Sequence, residues 1–249
     1  MCISASRRSA GVRQAPERGR TGYASMKGPR GAPSQCQEFN GGFMLRIWGR
    51  LSSVNVQKVV VCANELGIAY ERIDAGGKFG VVNTPEYRRL NPNGLVPVIE
   101  DGGFVLWESN AIVRYLARVH GAGTLWPDDA REGADADRWM DWQATAVTPA
   151  MFGAFWNLIR LEPDQRSPSA IDESAAKTEA LMAILDAHLA TRPCVAGARY
   201  TMGDIPLACA VHRWFGLPLS RAARPHVEAW LARIAARPAY DGVLTLPIV

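Results

Sequence analysis

Between residues 90 and 117 the chain reads LNPNGLVPVIEDGGFVLWESNAIVRYLA, and one proline within it restricts the fold more than any other residue. Pro97 stands in an apolar run, Leu95, Val96, Val98 and Ile99, that otherwise has the signature of a strand. A proline has no N–H to give a sheet ladder, so it belongs at a strand's entry or edge and not in its interior. A turn into a strand beginning at Val98 satisfies both facts, and a cis Val96–Pro97 bond suits that turn. The Val96 N–H and C=O then face outward, where an extended, peptide-like ligand pairs with them as an added strand does.

Twelve residues after Val96 comes Glu108-Ser109-Asn110, followed by Ile112, Val113 and Leu116 at helical spacing. The polar residues mark a helix start, and the first amides of that helix point unpaired beyond its end. Free amides and the helix dipole together make an anion site. A carboxylate docks there while Glu108 receives an ammonium, so the stretch suits a small zwitterionic peptide held by its backbone and its charged end. Read one at a time, Pro97 is equally a plain turn and Ser109 a plain cap.

The surrounding chain has a matching order. Residues 45–49 alternate as a short strand, 50–55 form a polar loop, and 56–66 place Val59, Val60, Ala63 and Leu66 on one helical face before Gly67. A second strand follows at 69–73, then the glycine-rich loop Gly76-Gly77-Lys78-Phe79-Gly80, then a short helix entered through Thr84-Pro85. Asp101-Gly102-Gly103 turns the proline-entered strand into another at 104–106. The helix from Glu108 closes a βαβ–α–ββα block of the thioredoxin kind. Residues 120–130 form a linker by composition. Beyond it every segment is helical and amphipathic: 131–160, 172–190 with Leu181, Leu185 and Leu189 on one stripe, 205–215 opened by Thr201-Met202-Gly203-Asp204, and a last helix opened by Arg224-Pro225.

The place for chemistry is the loop into the first helix, Arg50-Leu51-Ser52-Ser53-Val54-Asn55. Ser53 and Asn55 are placed to donate hydrogen bonds to an anion before the helix end, and a thiolate is such an anion. A thiol of pKa near 8.5 lowered by one to two units is stabilised by roughly 1.4–2.8 kcal/mol. The competing reading is that Ser53 only caps the helix. His120, His188, His212 and His226 lack partners at ligand or triad spacing, and the glycine-rich loop has neither G-x-G-x-x-G nor Walker spacing. Cys62, among valines, reads as a structural thiol. Trp139, Trp142, Phe155 and Trp156 read as core, or as the wall of an apolar pocket facing the first domain.

Charge and cysteine use remove several function classes. Seven basic side chains against Glu17 and Glu38 put +5 in residues 1–43 and leave −1 on the other 206, so the folded part has no footprint for nucleic acid. Residues 1–43 are rich in Ser, Gly, Arg and Pro without periodicity and are expected to be disordered, a translation start placed too far upstream, with the working protein beginning at Met44. The five cysteines are scattered without zinc spacing, which suits a reducing cytoplasm and implies no metal. No apolar run approaches the ~18 residues needed to span a bilayer, so no membrane partner is expected.

With those residues in hand, 44–249 resembles the cytosolic glutathione S-transferase family, bacterial theta-like or nu-like. Asn91-Pro92-Asn93-Gly94-Leu95-Val96-Pro97-Val98 with Glu108-Ser109-Asn110-Ala111-Ile112 resembles that family's glutathione site, Ser53-Val54-Asn55 its Ser/Thr-x-Asn segment, and Thr201-Met202-Gly203-Asp204-Ile205 its structural capping box. The resemblance implies a thioredoxin-like α/β N-terminal domain (44–119) plus an all-α C-terminal helical bundle (131–249), with 120–130 as linker. It implies that glutathione is the co-substrate, with Val96 and Pro97 on its cysteinyl backbone, Glu108 and Ser109 on its γ-glutamyl end, and Ser53 and Asn55 on its sulfur. Theta-like members often carry a basic residue where this chain has Leu95, so Lys78, Gln57 or Asn93 is left to meet the glycyl carboxylate. A small, largely apolar electrophile and a homodimer beside Glu108-Ser109 are further implications. Residues 50–55 hold no cysteine, which sets the chain apart from omega-like and beta-like members. Two other activities fit the same resemblance: a nu-like glutathione-dependent disulfide reductase, and a regulatory protein that keeps the fold without the chemistry.

Overall fold

The computed structural model describes residues 44–245 and residue 248; the expectations for residues 1–43 lie outside the described residues. The Val96–Pro97 bond is cis, and a strand begins at Val98. Four strands build the sheet: β1 (Leu45–Trp48), β2 (Tyr70–Ile73), β3 (Val98–Asp101) and β4 (Phe104–Trp107), in the order β2-β1-β3-β4. β1 and β2 are parallel because helix α1 (Val54–Glu65) crosses between them, whereas β3 runs antiparallel to both β1 and β4. Gly102 and Gly103, at φ 57° and 91°, form the tight β3–β4 turn that their sequence indicates. Helix α2 (Pro85–Leu90) begins at Pro85 as expected, and Thr84 caps it, the Tyr87 N–H donating to Thr84 Oγ1 at 3.3 Å. Helix α3 (Ser109–His120) completes a thioredoxin-like domain.

One helix differs from its sequence pattern. α1 reads as amphipathic, yet every residue from Val56 to Ala63 is buried, Gln57 and Lys58 included. The reason is tertiary: β1 and α3 cover one side of α1, and the helical half covers the other through α7 (Asp204–Phe215). A helix enclosed all round has no solvent face on which to place its polar residues.

The second half is an all-α bundle of α4 (Ala130–Trp142), α5 (Thr148–Phe155), α6 (Pro168–Leu189), α7 and α8 (Pro225–Ala235). The helical run expected over 131–160 is present, with two π-helical turns in it, at Gln143–Val147 and Trp156–Arg160. Pro149 accounts for the first: it has no N–H for the carbonyl of Thr145, and its ring crowds that carbonyl. Asp204 is buried at the start of α7 and accepts the N–H groups of Val195 and Thr201 and the Trp230 indole N–H, each at 3.0 Å. It joins the preceding loop and α8 to α7, which is the structural task expected of Thr201-Met202-Gly203-Asp204. Among the described residues no helix is long and apolar enough to cross a membrane.

Candidate functional site

Two helices begin side by side. Ser53 occupies the N-cap of α1 with extended backbone (φ −81°, ψ 122°), and its carbonyl accepts the N–H groups of Val56 and Gln57 at 2.9 Å each. Its hydroxyl makes no cap bond and has no partner among the described residues, so the plain-cap reading does not describe it. Asn55, two residues on, accepts the Ser109 hydroxyl at 3.3 Å, which brings the start of α3 against the start of α1. The α3 ladder opens with the Ile112 N–H on the Glu108 carbonyl at 2.9 Å, so the amides of Ser109, Asn110 and Ala111 precede it as unpaired donors. Two positive helix ends therefore meet at one point, each contributing about 0.3–1 kcal/mol to an anion held there.

The flanking residues are arranged for a ligand with both charges. Glu108 takes φ 71°, ψ 110°, a left-handed conformation that costs of order 1–3 kcal/mol in a residue other than glycine. Its exposed carboxylate has no ion-pair partner among the described residues. In the cis-proline turn the Leu95 carbonyl is fixed by the Tyr87 hydroxyl at 2.8 Å and the Asn91 amide at 2.9 Å. The next residue is left free: neither the N–H nor the C=O of Val96 is bonded among the described residues.

Behind this junction lies a residue that sequence reasoning missed. Lys58 is 3% exposed, and its ammonium donates to Gln143 Oε1 at 2.8 Å, Asn110 Oδ1 at 3.3 Å and Ser109 Oγ at 3.5 Å. No carboxylate is among those partners, and burial pulls its pKa down to about 8. Gln143 sits in the first π turn, steadied by its own bond to Thr148 Oγ1 at 2.6 Å, and so couples the helical half to the α1–α3 junction. The available signal was one charged residue flanked by Val56, Val59, Val60 and Val61.

A cavity of about 680 Å³ opens beside the loop before Ser53. Arg50, Leu51 and Ser52 line it from that loop, Lys78 and Phe79 from the glycine-rich loop, and Trp156 and Arg160 from the second π turn. The four aromatic residues expected as a pocket wall do not act together. Trp156, 44% exposed and stacked on Phe152, lines the cavity. Phe155 is buried behind it, with the Arg213 guanidinium 4.4 Å and that of Arg160 5.2 Å from its ring centre. Trp139 is core, as its simpler reading held: it is 7% exposed, edge-on to Trp142 at 5.1 Å and 4.5 Å from the His188 ring. Neither Trp139 nor Trp142 lines the cavity, because α4 turns that stripe into the bundle.

The three side chains considered for the glycyl carboxylate also separate. Gln57 requires correction: it is buried and donates to the Val243 carbonyl at 3.1 Å, a consequence of the enclosure of α1. Asn93 is exposed and donates to Asn91 Oδ1 at 3.1 Å within its own turn. Lys78 is exposed on the cavity rim, 5.1 Å from the Phe79 ring centre. Cys62 is structural as expected, buried with its thiol toward the Val113 carbonyl. Burial raises the thiol pKa of Cys209 to about 12 and that of Cys194 to about 11, so neither is a thiolate at neutral pH.

Comparison with known proteins accounts for both halves of the fold. Residues 52–119 match the sequence model of the glutathione S-transferase N-terminal domain, and residues 142–238 that of the C-terminal domain. Glutathione S-transferase GstB of Escherichia coli is 39% identical over 207 residues, 82% of this chain and 100% of that protein. Glutathione S-transferase 3 of Zea mays is 30% identical over 203 residues, 79% of this chain and 91% of its own. The theta class enzyme of Xanthomonas axonopodis pv. citri, solved with glutathione bound, superposes with a TM-score of 0.80 at 43% identity, covering 82% of this chain and 99% of that one. Coverage of whole relatives at these identities, over both halves of the fold, makes the chain a member of the glutathione S-transferase family.

Proposed function

We propose that the protein joins the thiolate of glutathione to small electrophiles, with Ser53 holding the sulfur in its deprotonated form. The observation that carries this reading is the unengaged Ser53 hydroxyl at the junction of two helix N-termini. Glutathione's cysteinyl backbone pairs with the free N–H and C=O of Val96 as an added strand. Its γ-glutamyl carboxylate lies on the α3 amides at Ser109 while its ammonium meets Glu108. Its glycyl carboxylate goes to Lys78. The sulfur then sits before α1, where the Ser53 hydroxyl donates to it and the α1 dipole favours its negative charge. Asn55 acts through the Ser109 hydroxyl it accepts, holding the two helix ends in register. Lowering the thiol pKa from about 8.5 by one to two units raises the thiolate fraction at pH 7 about eight- to twenty-five-fold. Binding adds proximity, converting a collision of two solutes into a reaction within one complex.

The same reading places the protein in the reducing cytoplasm as a homodimer. Free Cys62, Cys194 and Cys209 fit that compartment. The edge strand β4 leaves Phe104 and Trp107 exposed next to Glu108, an apolar edge that a second copy would cover. Ser53→Ala is the direct experiment for the chemistry. It is expected to lower kcat at pH 7 about eight- to twenty-five-fold with the glutathione Kd nearly unchanged; unaltered kcat at neutral pH would exclude Ser53 from the role.

A further inference from the structure

The glycine-rich loop, which matches no phosphate-binding spacing, has a definite task in the folded chain. Gly76 and Gly77 take φ 78° and 58°, and a Cβ at either would press on the Arg50 guanidinium, 3.0 Å from Nη1 and 3.1 Å from Nε respectively. The loop is a seat that only glycine leaves open for Arg50. Arg160 reaches the same cavity from the helical half, and Lys78 lines it from the loop. Among the described residues none of these three cations has a carboxylate within salt-bridge distance. Asp74 also lines the cavity but is bound to Arg72.

Arg213 adds a fourth cation behind them. It donates to the Ser52 carbonyl at 3.0 Å, and its Nε is buried without a partner. Burial first, and then the charge of Arg160, lowers the pKa of Arg213 to about 10 and that of Arg50 below its ordinary value. General basicity does not explain this gathering, since residues 44–249 carry a net charge of −1. Converging like charges without a counter-ion are unfavourable, and a carboxylate from outside satisfies them through charge-assisted, bidentate bonds.

We propose that the second substrate carries a carboxylate, gripped between Arg50 and Arg160 with its apolar body against Trp156. This inference takes its chemistry from the transferase reading above. It assigns one anion to each side of the cavity, the glycyl carboxylate to Lys78 and the electrophile's carboxylate to the arginine pair. For an aryl halide bearing a carboxylate, the glutathione sulfur forms a C–S bond to the ring carbon as the C–Cl bond breaks and chloride leaves.

The test is calorimetric titration with phenylacetate and with phenylacetamide, an uncharged match in shape, both in the presence of saturating S-methylglutathione. Phenylacetate is expected to bind at least about tenfold more tightly. That preference is expected to vanish in Arg160→Gln, to return in Arg160→Lys, and to weaken with added salt. Equal affinities, or displacement of phenylacetate by S-methylglutathione, would overturn the proposal, the second result assigning the arginines to glutathione itself. Failure of S-methylglutathione to bind would refute the transferase reading, while the phenylacetate preference would still decide the subsite. In turnover, 4-chloro-3-nitrobenzoate is expected to be preferred over 4-chloro-3-nitrobenzamide, against their intrinsic order of reactivity; the intrinsic order would count against the proposal.

Discussion

A lysine shut away from water with only neutral oxygens for partners is the most exacting residue in this chain. Lys58 keeps a proton at neutral pH because Gln143, Asn110 and Ser109 accept from it, yet its pKa stands at about 8 against 10.5 for a free side chain. The titratable groups around it are the Cys209 thiol, Arg213, which opposes its charge, and Glu108, which supports it. Since the unfolded chain holds the proton more firmly, it binds more protons than the folded chain between those two pH values. Stability therefore rises with pH across that interval; the penalty is full below about pH 8 and relieved towards pH 10.5. Wild type should gain on Lys58→Met by about 3 kcal/mol from the lower to the upper value. Urea unfolding of both proteins at matched pH measures it, and ionisation of the cysteines and tyrosines largely cancels between them. A difference that stays flat with pH would show that the ammonium is solvated in the fold.

At the scale of elements, Asp204 is the clearest joint. It accepts three N–H groups at 3.0 Å in a site closed to water, and burial raises its pKa in spite of them. Asp204→Ala strands those donors, at about 1–3 kcal/mol for each left unpaired, so the variant should unfold at markedly lower urea concentration. Full retention of the wild-type midpoint would mean that water replaces the carboxylate.

This element was legible in the sequence because its signal is local. Thr201 and Asp204 lie three residues apart, and so do Thr84 and the Tyr87 amide that it caps. Pro97 was legible for the same reason, since a missing N–H is a property of one residue wherever it sits. Ser53 was readable only as a position: sequence placed it at a helix start but could not tell whether its hydroxyl would close on α1 or stay free. The burial of Lys58 and Gln57 and the convergence of Arg50, Arg160 and Arg213 were not legible, because each is created by packing between segments 85 to 186 residues apart. Trp139 shows the same limit from the other direction. Its helical spacing fits core and pocket wall equally, and only the rotation of α4 against α6 and α7 decides between them.

Over the whole molecule, the proposed site lies where the sheet domain and the helical bundle share α1, so on this reading catalysis and stability draw on the same helix. The exposed β4 edge beside Glu108 leads to a prediction at this scale: light scattering should give twice the chain mass, and Trp107→Glu should reduce it towards the single chain. A single-chain mass for wild type would remove the dimer from the account. The central claim is that two helix ends and one hydroxyl favour a negatively charged sulfur. It is tested most directly by titrating the ultraviolet thiolate absorbance of glutathione bound to the wild-type protein. The account predicts an apparent pKa one to two units below the value of about 8.5 for an ordinary thiol; an unshifted titration of demonstrably bound glutathione would contradict it.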